Sequence, residues 1–145
     1  MKNLLFASLL IGLLLLAGCS QTLPDDIAYK AKLGEEFGLK PGELALIEPE
    51  GISVRFLNVT QDSRCPKDVQ CIWAGQVSVL VKVEENGVSR GDFELTLGPG
   101  GGELAKKSFD GYSIQVFSVE LPYGRTAGQK VEVTDYIGKF VVSRE

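Results

Sequence analysis

Four valines at alternate positions, Val77, Val79, Val81 and Val83, are separated by Ser78, Leu80 and Lys82 and followed by Glu84, and this run constrains the fold more than any other. A period of two puts one set of side chains on one face of an extended segment, and β-branched residues suit that pleated surface. The run ends at Glu85-Asn86-Gly87, a hairpin signal. The same grammar recurs along the chain. Ile52, Val54 and Phe56 alternate with Ser53 and Arg55, and Leu57 and Val59 continue at shifted parity, which predicts a bulge or a switch of face. Strands are expected at 35–39 and 44–48, separated by Lys40-Pro41-Gly42-Glu43 and closed by Pro49-Glu50-Gly51. Phe93, Leu95 and Leu97 form another, ended by the glycine-rich stretch Gly98-Pro99-Gly100-Gly101-Gly102. Tyr112 to Leu121 is apolar at both parities in places, as a central strand would be, and Pro122-Tyr123-Gly124 closes it. Val131–Val133 and Ile137–Val142 supply one or two more strands, while 103–107 reads as at most a turn. No stretch holds a helical period, and no internal repeat is present. The expected fold is all-β, an antiparallel sandwich or small barrel of about seven or eight strands.

The chain begins differently. Met1-Lys2-Asn3 precedes an apolar run from Leu4 to Leu16, then Ala17-Gly18 before Cys19. One cation, a leucine-rich core and small residues at its end are the parts of a secretory signal. As a helix, about 13 residues would reach only ~20 Å, short of a ~30 Å bilayer core. Leu16-Ala17-Gly18-Cys19 resembles the lipobox of bacterial lipoproteins. That resemblance implies a diacylglyceryl group on the Cys19 thiol, cleavage before it and usually acylation of the new amino terminus, palmitate being a typical acyl chain. Several acyl chains, at ~0.8 kcal/mol per buried methylene, make such attachment effectively permanent. Ser20 stands where an aspartate would mark inner-membrane retention. The resemblance therefore implies the cell envelope: the outer membrane in a two-membrane cell, otherwise the outer face of the single membrane. Residues 1–18 are then the signal peptide, 19–33 a lipidated tether containing Pro24, and 34–145 a single β-domain. A tether of about 13 residues from Ser20 to Lys32 reaches ~43–47 Å, enough to lift a domain clear of headgroups.

Removing residues 1–18 leaves 127 of 145 residues, enough for one domain with a real core. It also removes one lysine, so 14 basic residues face 19 acidic ones. A net negative chain argues against nucleic acid and against docking on anionic headgroups by charge. Asp25-Asp26, Glu35-Glu36 and Glu84-Glu85 are scattered and read as solvated faces. There is no histidine, and the single methionine is Met1. These absences remove the commonest general base, the commonest zinc and copper ligand, and every Ser-His or Cys-His arrangement.

The one dense constellation runs from Asp62-Ser63-Arg64-Cys65-Pro66-Lys67-Asp68 through Val69-Gln70-Cys71-Ile72-Trp73-Ala74-Gly75. With Cys19 committed to lipid, Cys65 and Cys71 remain as an even pair in an oxidising compartment, and a disulfide is expected. Asp-Ser-Arg-Cys-Pro followed by Cys-x-Trp-Ala-Gly resembles a motif of uncharacterised secreted proteins and lipoproteins of bacteria. In them it sits between two β-strands; the resemblance covers about Gly34 to Val142, is specific only at 62–75, and implies fold and compartment without an activity. A structural account of the loop lays Trp73 over the disulfide as a cap on the core, pairs Asp62 with Arg64, and uses Gly75 for the turn. A functional account presents the loop to a protein partner, with Arg64, Lys67 and Asp68 at its tip. The candidate binding residues are Asp62, Ser63, Arg64, Lys67, Asp68 and Trp73. Arg64-Cys65-Pro66 only superficially suggests a protease-inhibitor loop.

Other chemistry finds little footing. Cys-x5-Cys is not the spacing that tunes a redox thiolate. Two thiols without histidine partners make a poor zinc or copper site, and Asp62, Asp68 and Asp110 lack the spacing of a calcium loop. Glu103 stands where a phosphate loop needs Lys and Ser or Thr. No cofactor, metal or catalytic set is expected. The expectation is a non-catalytic binding or envelope-interaction module on a lipid anchor, with a small-ligand carrier holding a pocket inside the β-domain as the alternative.

Overall fold

The computed structural model describes residues 27–99, 102–121 and 124–145. Nine strands follow one another along them: β1 (Ile27–Ala31), β2 (Glu36–Leu39), β3 (Leu44–Ile47), β4 (Ile52–Asp62), β5 (Val77–Glu85), β6 (Val88–Leu97), β7 (Lys106–Phe109), β8 (Tyr112–Glu120) and β9 (Ile137–Arg144). They form a sandwich of two sheets, ordered β1-β3-β4-β5-β6 and β2-β9-β8-β7. Each described pairing is antiparallel except β1 with β3.

The alternation read from the sequence becomes burial. Val77, Val79, Val81 and Val83 are buried, as are Ile52, Val54 and Phe56 on the neighbouring strand. Asn86 and Gly87 both have positive φ, 51° and 78°, as a two-residue primed turn requires. The parity shift after Phe56 is a pair of irregularities in the β4–β5 register, at Phe56/Asn58 and Val59/Gln61. Between the sheets, Phe56 meets Phe140 edge-on at 5.4 Å between ring centroids, and Phe37 packs on Phe140 at 6.1 Å. A Cβ on Gly138 would lie 2.6 Å from the Phe140 ring and 3.1 Å from Phe56, so this position is kept bare for the aromatic cluster.

Three expectations change. The tether does not run free to Lys32, because Ile27–Ala31 pairs with β3 and Ala31 is buried. Ile27, Tyr29 and Ala31 do alternate, but five residues with only a short parallel partner give a weak signal. Residues 106–109 are a strand, not the tail of a turn. Lys-Lys-Ser-Phe at a sheet edge buries only Phe109, so its sequence carries no alternation. Val131–Val133 is not a strand: Val133–Asp135 is a 3₁₀ turn, closed by the Glu132 amide donating to the Asp135 carboxylate at 2.9 Å. Such local side-chain bonds compete with a sheet ladder. With β1 and β7 added, the strands number nine. Cys19 and residues 1–18 lie outside the described residues.

The registers sort the connections between the two ends of the sandwich. Asp62 pairs with Val77, Val77 with Leu97, and Glu120 with Ile137, and bonds from Arg64 to Val119 and from Arg125 to Asp62 join the two sheets there, so the β4–β5, β6–β7 and β8–β9 connections share one end. The short turns after β3, β5 and β7 share the other, where the Asn86 amide donates to the Gly51 carbonyl at 2.9 Å. Glu145 reaches the Gly111 carbonyl at that same far end.

Candidate functional site

The cysteine loop, residues 63–76, grows out of the ends of β4 and β5. Its neck is closed by Ser63: the Ser63 amide donates to the Gln76 carbonyl at 2.8 Å, and the Gln76 amide donates to Ser63 Oγ at 3.0 Å. Gly75 sits here with φ of 69°, and a Cβ on it would fall 2.0 Å from the Ser63 carbonyl oxygen. Only glycine fits both the conformation and the space. Cys65 and Cys71 are disulfide-bonded with their Cα atoms 5.9 Å apart.

Below the neck lies a charged brace. The Asp62 carboxylate, 6% exposed, receives Arg64 Nε at 2.9 Å and a second guanidinium nitrogen at 2.8 Å, a fork that fixes both groups. The Arg64 amide and the Tyr136 hydroxyl, each at 3.1 Å, complete its shell. Arg64 also donates to the Val119 carbonyl on the other sheet. Arg125 donates to the carbonyls of Asp62 and Arg64, both at 3.1 Å, and so ties the β8–β9 connection to the loop. Further out, the Lys67 amide donates to the Arg125 carbonyl at 2.9 Å, and Asp68 accepts from the Ala127 amide at 2.8 Å.

Burial alone would raise the Asp62 carboxyl, but the Arg64 side-chain and backbone hydrogen bonds, the guanidinium charge and the Tyr136 hydroxyl hold it below its ordinary value. Its hydrogen bond to Asp62 raises Arg64 against the opposing effect of burial. Tyr136 is raised by burial first, then by the Asp62 charge. A carboxylate held ionised by a forked guanidinium is a structural link, not a proton donor.

Arg64 and Asp68, expected at the tip, therefore belong to the loop's attachment, and the Lys67 stem lies beside Gly124, 3.1 Å from where its Cβ would be. Ser63 closes the neck and Asp62 is the hub. Asp110, a third acid weighed for calcium, pairs with Arg90 at 2.7 Å. Trp73 does not cap the core. It is 78% exposed, Ile72 beside it is 91% exposed and Val69 46%. The end of the core beneath the loop is closed by the buried Val77 and Val119 and by the Asp62–Arg64 pair, not by the indole. The loop thus has a polar, bonded root and an apolar tip. Ile72 and Val69 were not among the sequence candidates. The signal for them was an isoleucine beside a tryptophan in a segment without strand alternation. Arg125 and Tyr136, more than 60 positions from Asp62, carry no sequence signal.

Two open clefts flank the brace. One of about 420 Å³ is lined by residues including Thr60, Asp62, Arg125, Gln129 and Tyr136, and one of about 400 Å³ by Arg64, Lys67, Val119 and Leu121 among others. A third, of about 440 Å³ and mostly apolar, lies against Ala74, Leu97, Pro99 and Phe117. Comparison of the chain with protein-family models, with curated proteins and with solved structures gives no match.

Proposed function

We propose that this chain is a lipid-anchored protein of the bacterial envelope, without a catalytic role, whose β-sandwich serves as a binding module through the tip of its cysteine loop. The anchor is read from Leu16-Ala17-Gly18-Cys19 and the apolar run before it. The observation that carries the binding role is the exposure of Ile72 and Trp73 on a loop whose root is bonded at Asp62, Ser63, Arg64 and Asp68. Exposing a large indole and a neighbouring isoleucine to water is unfavourable, and contiguous apolar exposure marks an interaction surface. A bonded root keeps the tip ordered before contact, which lowers the entropic cost of binding. A carrier with an internal pocket has less support, because Phe37, Phe56 and Phe140 fill the space between the sheets.

Two measurements test this reading. Labelled palmitate is expected on the full chain and absent from Cys19→Ser; an unlabelled wild-type chain would remove the anchor. A photo-reactive side chain at position 72 is expected to cross-link an envelope component in living cells, whereas one at exposed Val88, at the far end, is not. No adduct at position 72 would remove the loop.

A further inference from the structure

We infer that the tip of the cysteine loop inserts into the interfacial layer of the same bilayer that holds Cys19, so that the domain lies end-on against the membrane. This rests on the lipid-anchor reading and names the partner that the tip meets.

Strand direction carries the first part. β1 runs parallel to β3, with Ile27 opposite Leu44 and Ala31 opposite Ile47. β3 in turn pairs with β4, Leu44 opposite Arg55 and Ile47 opposite Ile52. Followed backwards from Ala31 to Ile27, β1 therefore climbs in the direction in which β4 climbs towards Asp62 and the cysteine loop. The chain leaves the sheet at Ile27 heading for the loop end.

Chain length carries the second. Eight residue steps join Cys19 to Ile27, which span at most ~26–29 Å. From the level of Arg55 to Asp62, β4 rises seven residues, ~23 Å. The available tether thus reaches the level of the loop but cannot carry the domain far beyond it. Pairing of 27–31 into the sheet removes the slack that would lift the domain clear of the headgroups.

Surface chemistry carries the third. Eight large apolar side chains are exposed among the described residues. Five of them, Val69, Ile72, Trp73, Leu104 and Val133, lie in the connections of the loop end, and Phe117 lies four residues before the β8–β9 connection. From Val69 to Gly75 the loop carries no charge. Tryptophan is favoured at the depth of the headgroups, and apolar insertion does not depend on lipid charge, which suits a lipidated chain in which 14 basic residues face 19 acidic ones.

Trp73 is the sole tryptophan and reports on its own surroundings. The full-length lipidated protein, its acyl mass confirmed, is to be reconstituted into phosphatidylcholine vesicles with and without brominated acyl chains. The expected result is a blue-shifted emission, quenched by bromine and shielded from aqueous iodide, with Ile72→Ser weakening the bromine quenching while the fold is retained. A lipidated protein whose emission stays red, iodide-accessible and indifferent to bromine would overturn the inference and leave the anchor standing. Cross-linking from position 72 in cells to protein alone would overturn it in favour of a protein partner. Absence of the acyl mass would end the anchor reading, and this inference with it.

Discussion

Asp62 ends β4 with a carboxylate that is 6% exposed and bonded to both Arg64 and Tyr136. Removing one side of a buried pair leaves the other charge unpaired, at about 3–5 kcal/mol when both are fully buried. Arg64 is 33% exposed, so Asp62→Ala is expected to cost nearer 2 kcal/mol in chemical denaturation. The pH dependence follows from the same bonds. Because Asp62 titrates below its ordinary 3.8 in the fold, its contribution is present above that value and declines as pH falls through the lowered one. Tyr136 works in the opposite sense: raised above its ordinary 10.0, it contributes below that pH and loses its contribution as pH rises further. Thermal melts of wild type and Asp62→Asn are expected to differ at pH 6 and to converge in strong acid; equal melts at pH 6 would refute the brace. Gly138 makes a second residue-scale case. A methyl group there meets Phe140 and Phe56 at sub-contact distance, and Gly138→Ala is expected to cost about 1–3 kcal/mol, as overpacking does.

The cysteine loop is an element with two separable halves. Its root is held by Asp62, Ser63, Arg64 and Asp68 through bonds to Gln76, β8 and the β8–β9 connection, whereas its tip is constrained by the disulfide. Closing a loop this small stabilises by roughly 2 kcal/mol in the chain-entropy model. Replacing both Cys65 and Cys71 by serine is therefore expected to lower stability by about that amount and to loosen 65–73. Amide exchange should rise in the tip while β4 and β5 stay protected; a tip as protected as in wild type would show that the root alone orders it. The sequence disclosed the alternating β4, β5 and β6 because each faces a filled core on one side. It concealed β1 and β7, short edge strands whose identity comes from a neighbour's hydrogen bonds. It misrepresented Val131–Val133, where two carboxylates a turn apart close a 3₁₀ turn instead.

For the whole molecule, orientation is the consequential property. The three long connections share one end with the direction in which the chain leaves β1, and the carboxyl terminus lies at the other. On the proposed lipid anchor, tether length decides whether the loop end meets the bilayer. Inserting a flexible Gly/Ser spacer of about a dozen residues after Ser20 adds a root-mean-square reach of ~17–21 Å. That variant is expected to remain lipidated while the Trp73 emission loses part of its bromine quenching, measured in the same vesicles. Undiminished quenching would mean that the tip holds the membrane by itself and that the tether contributes nothing to the orientation.

By itself the sequence determined the all-β class, the positions of the longer strands, the Asn-Gly hairpin and the tied loop between β4 and β5. These follow from period-two burial and turn chemistry, which act between residues close in the chain. Tertiary structure alone decided that Arg125 and Tyr136 join Asp62, that Arg64 braces the loop instead of leading it, and that Trp73 and Ile72 stand in water. Those outcomes depend on which distant strand ends become neighbours, and on whether space is left over the core once the strands have filled it.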